Sequence, residues 1–362
     1  MSKLMLNIYI YILIILVIVG ILQYLLSLKK LVIIPVFLLT VVAGLRASNI
    51  GPDTINYVND YNSILWGYGS YKHFELGYTW LEKIFSFFGA QVSVFLCFIS
   101  LISLTIIASR YGKYTRYSVV AMLYYYVRFF LNRDMNQIRA ALAAAILLFS
   151  IKYIGERRII PTIGIILLAS SIHSASLIAL AVYPLYWIIW IKINSKKKIL
   201  LIYLIAVFLL VPLSYAVAPY VETVFSGTEI GNTYITTSSG YVSDNGNGLL
   251  NPVILMQVII SVIGLSFVDI GEKRPYFKVL LSFYMLSTLI LIFFNQYYVL
   301  AGRLSTMLAT IEPLIVITVS EKITPKFISR ASLIFLCILV FYLINISTGS
   351  IQNYYLPYSF MH

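Results

Sequence analysis

Arg46, Arg128, Arg133, Arg139 and Arg303 stand apart from the other basic residues of this chain, each at or near the end of an apolar run. On the same side of the expected topology lie Asp53, Asp60, Glu75 and His173. Arginine presents a planar fork of donors that grips phosphate through two parallel hydrogen bonds. A carboxylate or imidazole beside such a grip can move a proton. The set therefore points to transfer chemistry on an anionic substrate. Snorkelling into lipid headgroups explains any one of these arginines, but it explains all five together less well.

Two stretches concentrate this chemistry. "GLRASNIGPDTINYVNDY", starting at Gly44, carries Arg46, Asp53, Tyr57 and Asp60 in a few turns of chain. "NRDMNQIRAALAAAI", starting at Asn132, sets Arg133 and Arg139 around Asn136 and Gln137, and its alanine-rich run lets a neighbour approach closely. A helix opening at Ile138 puts Arg139 in its first turn. There the positive end of the dipole favours an anion and disfavours a cation, unless something negative binds beside it. An ion pair with Asp134 is the structural alternative. No D-x-D pair, phosphate-binding P-loop, H-E-x-x-H or G-x-S-x-G is present, and no metal-ligand cluster or cofactor motif is visible. A relay from Ser171 or Ser174 to His173 is disfavoured, because adjacent side chains rarely align that way. Glu312, ahead of Pro313, is the carboxylate expected deepest within a span, and such a residue is a functional candidate by default.

The elements that must position these residues are membrane helices. The sequence is 60% hydrophobic and only 11% charged, which excludes an ordinary soluble domain. Apolar stretches long enough to approach the ~20 residues of a bilayer span recur from end to end. The net charge of +13 does not signal a nucleic-acid partner, because most basic residues fall in alternate loops, from Lys29 and Lys30 to Arg330. Taking those loops as cytoplasmic predicts an all-α polytopic membrane protein forming one domain over 1–362. About twelve spans are expected, near 6–26, 31–45, 91–108, 117–131, 138–154, 159–171, 175–191, 199–219, 252–269, 276–295, 304–320 and 331–348, with both termini outside. The stretch 159–191 is too long for one crossing and must break near Ser170–Ser174, which brings His173 to the outer face. Residues 46–90 and 220–250 form long outward loops. In the first, Leu76, Trp80 and Ile84, followed by Phe87 or Phe88, recur at helical spacing, as in a helix lying at the membrane interface. Cys97 and Cys337 read as small core residues without a disulfide.

The chain resembles the EpsG family of Wzy-like polysaccharide polymerases. The resemblance is carried by "GLRASNIGPDTINY" at 44–57, "FELGYTWL" at 74–81, "NQIRAALAAAI" at 136–146, "IHSASLI" at 172–178 and the late Arg303. After Arg303, "RLSTML" lacks the aromatic residue of the family pattern. The resemblance implies a GT-C-like helical glycosyltransferase of the bacterial inner (plasma) membrane. It would join undecaprenyl-pyrophosphate-linked oligosaccharide repeats on the outer face, with a chain-length regulator as a candidate partner and without a cofactor. In that setting Arg46 grips phosphate, and Asp53 or Glu75 takes the acceptor proton with inversion at the anomeric carbon. His173, Arg133, Arg139, Arg303, Tyr57 and Gln137 bind substrate. Other classes stay open: a lipid-linked-oligosaccharide flippase or transporter would want several charges inside spans, an O-antigen ligase would share the donor chemistry, and an O-acyltransferase would use an intramembrane histidine.

Overall fold

The computed structural model describes residues 7–225 except Tyr71 and His73, then 248–268, 276–323 and 325–361. Among the described residues every regular element is helical, and extended pairing is limited to one antiparallel bridge between Arg46 and Phe360. Helix occupies each of the twelve expected segments, but length separates them. Ile8–Leu26, Val92–Tyr114, Ile138–Gly155, Ser174–Ile193, Lys196–Val224 and Lys326–Ile346 are long and apolar enough to cross a membrane. Tyr298–Ala309 and Glu312–Ser320 pass together as one span bent by 52°, and Ile159–Ile172, Pro252–Ser266 and Phe277–Phe293 are shorter apolar helices. The expected break in 159–191 falls at His173, between Ile159–Ile172 and the 3-10 turn Ser174–Ala181. Most of the 220–250 loop lies outside the described residues.

The chain forms two compact units. The first comprises 1–149, 164–174 and 320–362. In it α1 (Ile8–Leu26) starts at Asn7, whose side chain accepts the Ile10 N–H, and runs beside α6 (Ser118–Tyr125). Gln23 of α1 is fully buried and accepts the Val119 N–H at 2.8 Å, which satisfies a donor that the start of α6 would otherwise leave orphaned. A π-helical turn at Tyr126–Phe130 then leads into α7 (Leu131–Arg133). α2 (Ile33–Gly44) packs along α5 (Val92–Tyr114), and α5 along α8 (Ile138–Leu147).

After α2 the chain leaves helical conformation and is held by the carboxyl-terminal segment. Ala47 N donates to Ser359 O at 3.0 Å, Met361 N to Leu45 O at 2.8 Å, and Gly51 N to Tyr354 O at 2.9 Å. Gly51 has φ +86°, and a side chain there would run into the Met135 carbonyl oxygen. Glycine is needed on both counts. The segment then opens α3 (Thr54–Leu65), which pairs with α4 (Leu76–Phe87). On α4 the amphipathic pattern is inverted: Leu76, Trp80, Ile84 and Phe87 are exposed while Tyr78 and Glu82 are buried. An outward apolar stripe with polar groups inside is the pattern of a helix resting on a membrane.

The second unit comprises 150–163 and 175–319 and is organised around Phe277–Phe293, which is buried along most of its length. Trp190 Nε1 donates to Ser282 Oγ at 2.9 Å, and Ser287 Oγ to Ser305 O at 2.8 Å, so hydroxyls tie these helices where hydrophobic burial alone gives little specificity. Glu312 is fully buried at the bend that follows Tyr298–Ala309. Arg303 is half-buried within that helix.

Candidate active site

The first unit brings the four amino-terminal motifs into one cluster. Glu75, the residue before α4, accepts four bonds at its carboxylate. Arg139 Nη1 from the first turn of α8 binds Oε2. His173 Nδ1 approaches Oε1 at 3.1 Å, Ser174 N at 2.8 Å and Ser174 Oγ at 3.0 Å. Burial by itself would raise the Glu75 acid. The His173 bond, the Arg139 charge and the Ser174 N–H outweigh it and hold the carboxyl well below the usual range. The expected alternative, Arg139 on Asp134, is not adopted: Asp134 Oδ2 instead accepts the Tyr125 hydroxyl at 2.7 Å. Nor do the neighbouring serines relay to His173, since Ser174 Oγ binds Glu75 and Ser171 Oγ binds the Leu168 carbonyl.

His173 is held neutral. Burial lowers its imidazole below the ordinary value, and the nearby Arg139 and Arg133 charges add to this against the pull of Glu75. An ionised Glu75 can only accept, so Nδ1 must carry the hydrogen and Nε2 is left as the acceptor. That is the protonation state of a general base oriented by a carboxylate. Arg139 lies face-on to Phe74 at 3.9 Å and within 6 Å of the Tyr57 and Tyr78 rings, which fixes the plane of its fork.

α4 reaches His173 only because Gly77 has no side chain: a Cβ there would stand 2.8 Å from the Ser171 carbonyl oxygen. Gly77→Ala is expected to cost about 1–3 kcal/mol through overpacking. It should also loosen the Glu75–His173 contact. Thermal unfolding together with an activity assay checks this, and a variant as stable and active as the parent would contradict the packing.

Arg46 is deeper. Its side chain is fully buried, with Nη1 on the Ala43 carbonyl and Nε on Thr54 Oγ1 at 3.1 Å, while Thr54 Oγ1 in turn donates to Ile50 O at 2.6 Å. Nη2 is buried without a hydrogen-bond partner. Around it stand the neutral hydroxyls of Tyr355, Tyr57, Tyr9 and Tyr358, and the Asp134 carboxyl is also within electrostatic reach. Asp53, which precedes α3, donates its backbone N–H to Asn136 Oδ1 at 2.6 Å, and this bond joins the two most specific motifs. Tyr57 follows Asp53 by four residues, one turn into α3, where it is buried. Arg133 is buried in α7, and Gln137 precedes α8 with its N–H on Asn132 O at 3.2 Å. Arg303 and Glu312 belong to the second unit.

Sequence patterns did not single out Phe74 or Thr54, although each lies within a quoted motif. They also missed a buried acid pair. Glu82 of α4 is fully buried, and burial first, with Asp60 second, pushes its carboxyl up to about 9. Asp60 accepts Ser70 Oγ at 3.1 Å and the Lys72 N–H, which pins the chain between α3 and α4. The folded Glu82 value lies above the ordinary 4.5. The folded state therefore holds a proton that the unfolded state releases, and the stability this contributes is full below pH 4.5 and is lost as pH rises towards 9. Glu82→Gln should abolish that loss, so its melting temperature relative to the parent should climb between pH 5 and pH 9. A constant difference across that range would refute the buried-acid assignment.

No solved structure matches this chain. The amylovoran biosynthesis protein AmsC of Erwinia amylovora is 27% identical over 185 residues, which cover 48% of this chain and 47% of AmsC. The chain thus spans about half the length of the curated relative it matches. The model of the EpsG family matches residues 29–360, a stretch that contains every residue of the cluster just described. This helical membrane protein belongs to the EpsG family.

Proposed function

We propose that this protein is a polysaccharide polymerase that joins undecaprenyl-pyrophosphate-linked oligosaccharide repeats on the outer face of the bacterial inner membrane. The twelve apolar segments would form one GT-C-like membrane domain with the site facing outward. The observation that carries the reading is the Arg139–Glu75–His173 cluster, because three separate family motifs converge on one carboxylate. The family membership and a relative named for amylovoran biosynthesis support the same class of process.

In this reading the acceptor hydroxyl oxygen attacks the anomeric carbon with inversion and loses its proton to His173 Nε2. The bond from that carbon to the pyrophosphate oxygen breaks as the new glycosidic bond forms. Charge gathers on the departing lipid pyrophosphate, where guanidinium forks of Arg139 and Arg133 would stabilise it as a divalent cation does elsewhere. Glu75 orients the imidazole, and Asp53 and Tyr57 line the approach. Glu75 is the weaker proton acceptor of the pair, because its lone pairs are already taken by donors. Arg303, which the resemblance makes a substrate contact, belongs to the second unit.

The test is polymerisation of purified lipid-linked repeats by the purified protein, read as a ladder on a gel. Ladders are expected, and they should persist in excess EDTA because arginines provide the positive charge. Activity lost to EDTA and restored by magnesium would overturn the arginine-based mechanism.

A buried carboxylate at a 52° helix break is also a feature of transporters with discontinuous helices, and Glu312 favours that second reading. Under it, Glu312→Gln blocks transport while Glu75→Gln does not. Under polymerisation the order is reversed.

A further inference from the structure

We propose that a cavity beside the Arg46 segment is a binding subsite for an uncharged oligosaccharide, seating the sugar chain that reacts at the neighbouring cluster. This rests on the polymerase reading and names a part of the substrate that the arginines cannot hold. The cavity measures about 350 Å³ and is lined by Ser48, Asn49, Gly51, Pro52, Ile55, Asn353 and Tyr354. That volume is at the lower end of the ~300–1,000 Å³ typical of ligand clefts.

The chemistry of the walls selects the ligand. No lysine, arginine, histidine, aspartate or glutamate lines the cavity, so a phosphate would find no countercharge in its walls. An acyl chain would cover two amides and a hydroxyl and leave them unsatisfied, at about 1–3 kcal/mol each. A sugar suits all of them. Each asparagine amide offers both a donor and an acceptor, as sugar hydroxyls require. The Ser48, Asn49 and Asn353 side chains make no hydrogen bond within the described protein, so these groups are available. Tyr354 is 53% exposed and presents an aromatic face of the kind on which the apolar side of a pyranose rests.

The walls are also fixed in advance. Gly51 N holds Tyr354 O at 2.9 Å across the cavity, and Ala47 N holds Ser359 O. A preorganised site loses little ordering entropy on binding. Pro52 of the lining leads directly into Asp53, whose N–H is anchored on Asn136, and Ser48 follows two residues after Arg46. A sugar chain seated here would end beside the proposed catalytic cluster.

The experiment uses the full-length protein in detergent and the repeat oligosaccharide freed from its lipid by mild acid, with inorganic pyrophosphate as the comparison probe. Equilibrium dialysis should show oligosaccharide binding that weakens about tenfold or more in Asn353→Ala, Tyr354→Ala and Asn49→Ala. Pyrophosphate binding should be unchanged in the same variants. In turnover assays these variants should raise KM for the lipid-linked repeat while kcat holds. Tyr354 meets Gly51 through its backbone, so its side-chain variant should keep the parent melting temperature. If it does not, Asn49→Ala on the opposite wall decides. Parental oligosaccharide affinity in the folded variants, with polymerisation intact, overturns the subsite and spares the polymerase. Oligosaccharide binding that the variants abolish, in a wild-type protein that makes no polymer, keeps the subsite and sinks the polymerase.

Discussion

Glu75→Gln should lower polymer turnover by roughly 10²–10⁴-fold, the span that general-base catalysis contributes. The expected loss comes from the imidazole rather than from the carboxylate as a base. Glu75 raises the His173 value against burial, and it fixes Nδ1 as the protonated nitrogen. An amide in its place can donate as well as accept, so the ring is free to adopt the other tautomer and turn Nε2 into a donor. Without the carboxylate charge the imidazole value falls further, and the acidic limb of the kcat/KM profile should move to lower pH while the plateau drops. His173→Ala should lose a similar factor and regain part of it in added imidazole. Wild-type turnover in Glu75→Gln, or an acidic limb that moves to higher pH, would remove His173 from the proton-accepting role. Unchanged melting temperatures are required of both variants for the comparison to count.

Why this role was not legible beforehand is a matter of distance in sequence. Glu75 and His173 are 98 residues apart, and nothing in composition or periodicity pairs them. Local signals did locate the pieces. The dipole argument called for a negative group beside Arg139, and Glu75 occupies that position. The break in the long apolar stretch was readable from helix rise against bilayer thickness, and it falls at His173. What pattern could not reach was the carboxyl-terminal segment that pins the Arg46 loop, because its contacts are backbone bonds indifferent to side-chain type. The acid pair of Glu82 and Asp60 was hidden for another reason. The pattern turns the apolar stripe of α4 to the membrane interface, but it does not show that the opposite face packs against α3 rather than water, and that packing buries Glu82. Helix length was similarly underdetermined. Apolar runs mark where helices form but not the angle between them: Pro313 signals a break, whereas the 52° size of the bend before Glu312 is seen only in the structure.

The arginines should divide when each is replaced by lysine. Arg46→Lys is expected to fail as a structural change. Its fork bonds the Ala43 carbonyl and the Thr54 hydroxyl at full burial, and an ammonium cannot span both. Each acceptor left bare costs about 1–3 kcal/mol, enough to lower the melting temperature sharply and to release the loop that carries Asp53. Arg139→Lys should behave differently. The Arg139 side chain is 16% exposed rather than sealed, and a lysine can keep one bond to Glu75. It cannot keep the planar stack on Phe74 or a second arm for the departing pyrophosphate. Loss of one such preorganised donor costs about 10²–10³-fold in kcat. The expected result is therefore a stable protein that leaves lipid-linked repeats unjoined, with kcat reduced and the melting temperature near the parent's. Unfolding measured in detergent and single-turnover transfer on the same samples separate the two cases. Long chains from Arg139→Lys at the parental rate would show that its charge alone suffices and that the fork geometry is not used. A stable, inactive Arg46→Lys would move Arg46 from scaffold to phosphate clamp, with its buried Nη2 as the contacting group.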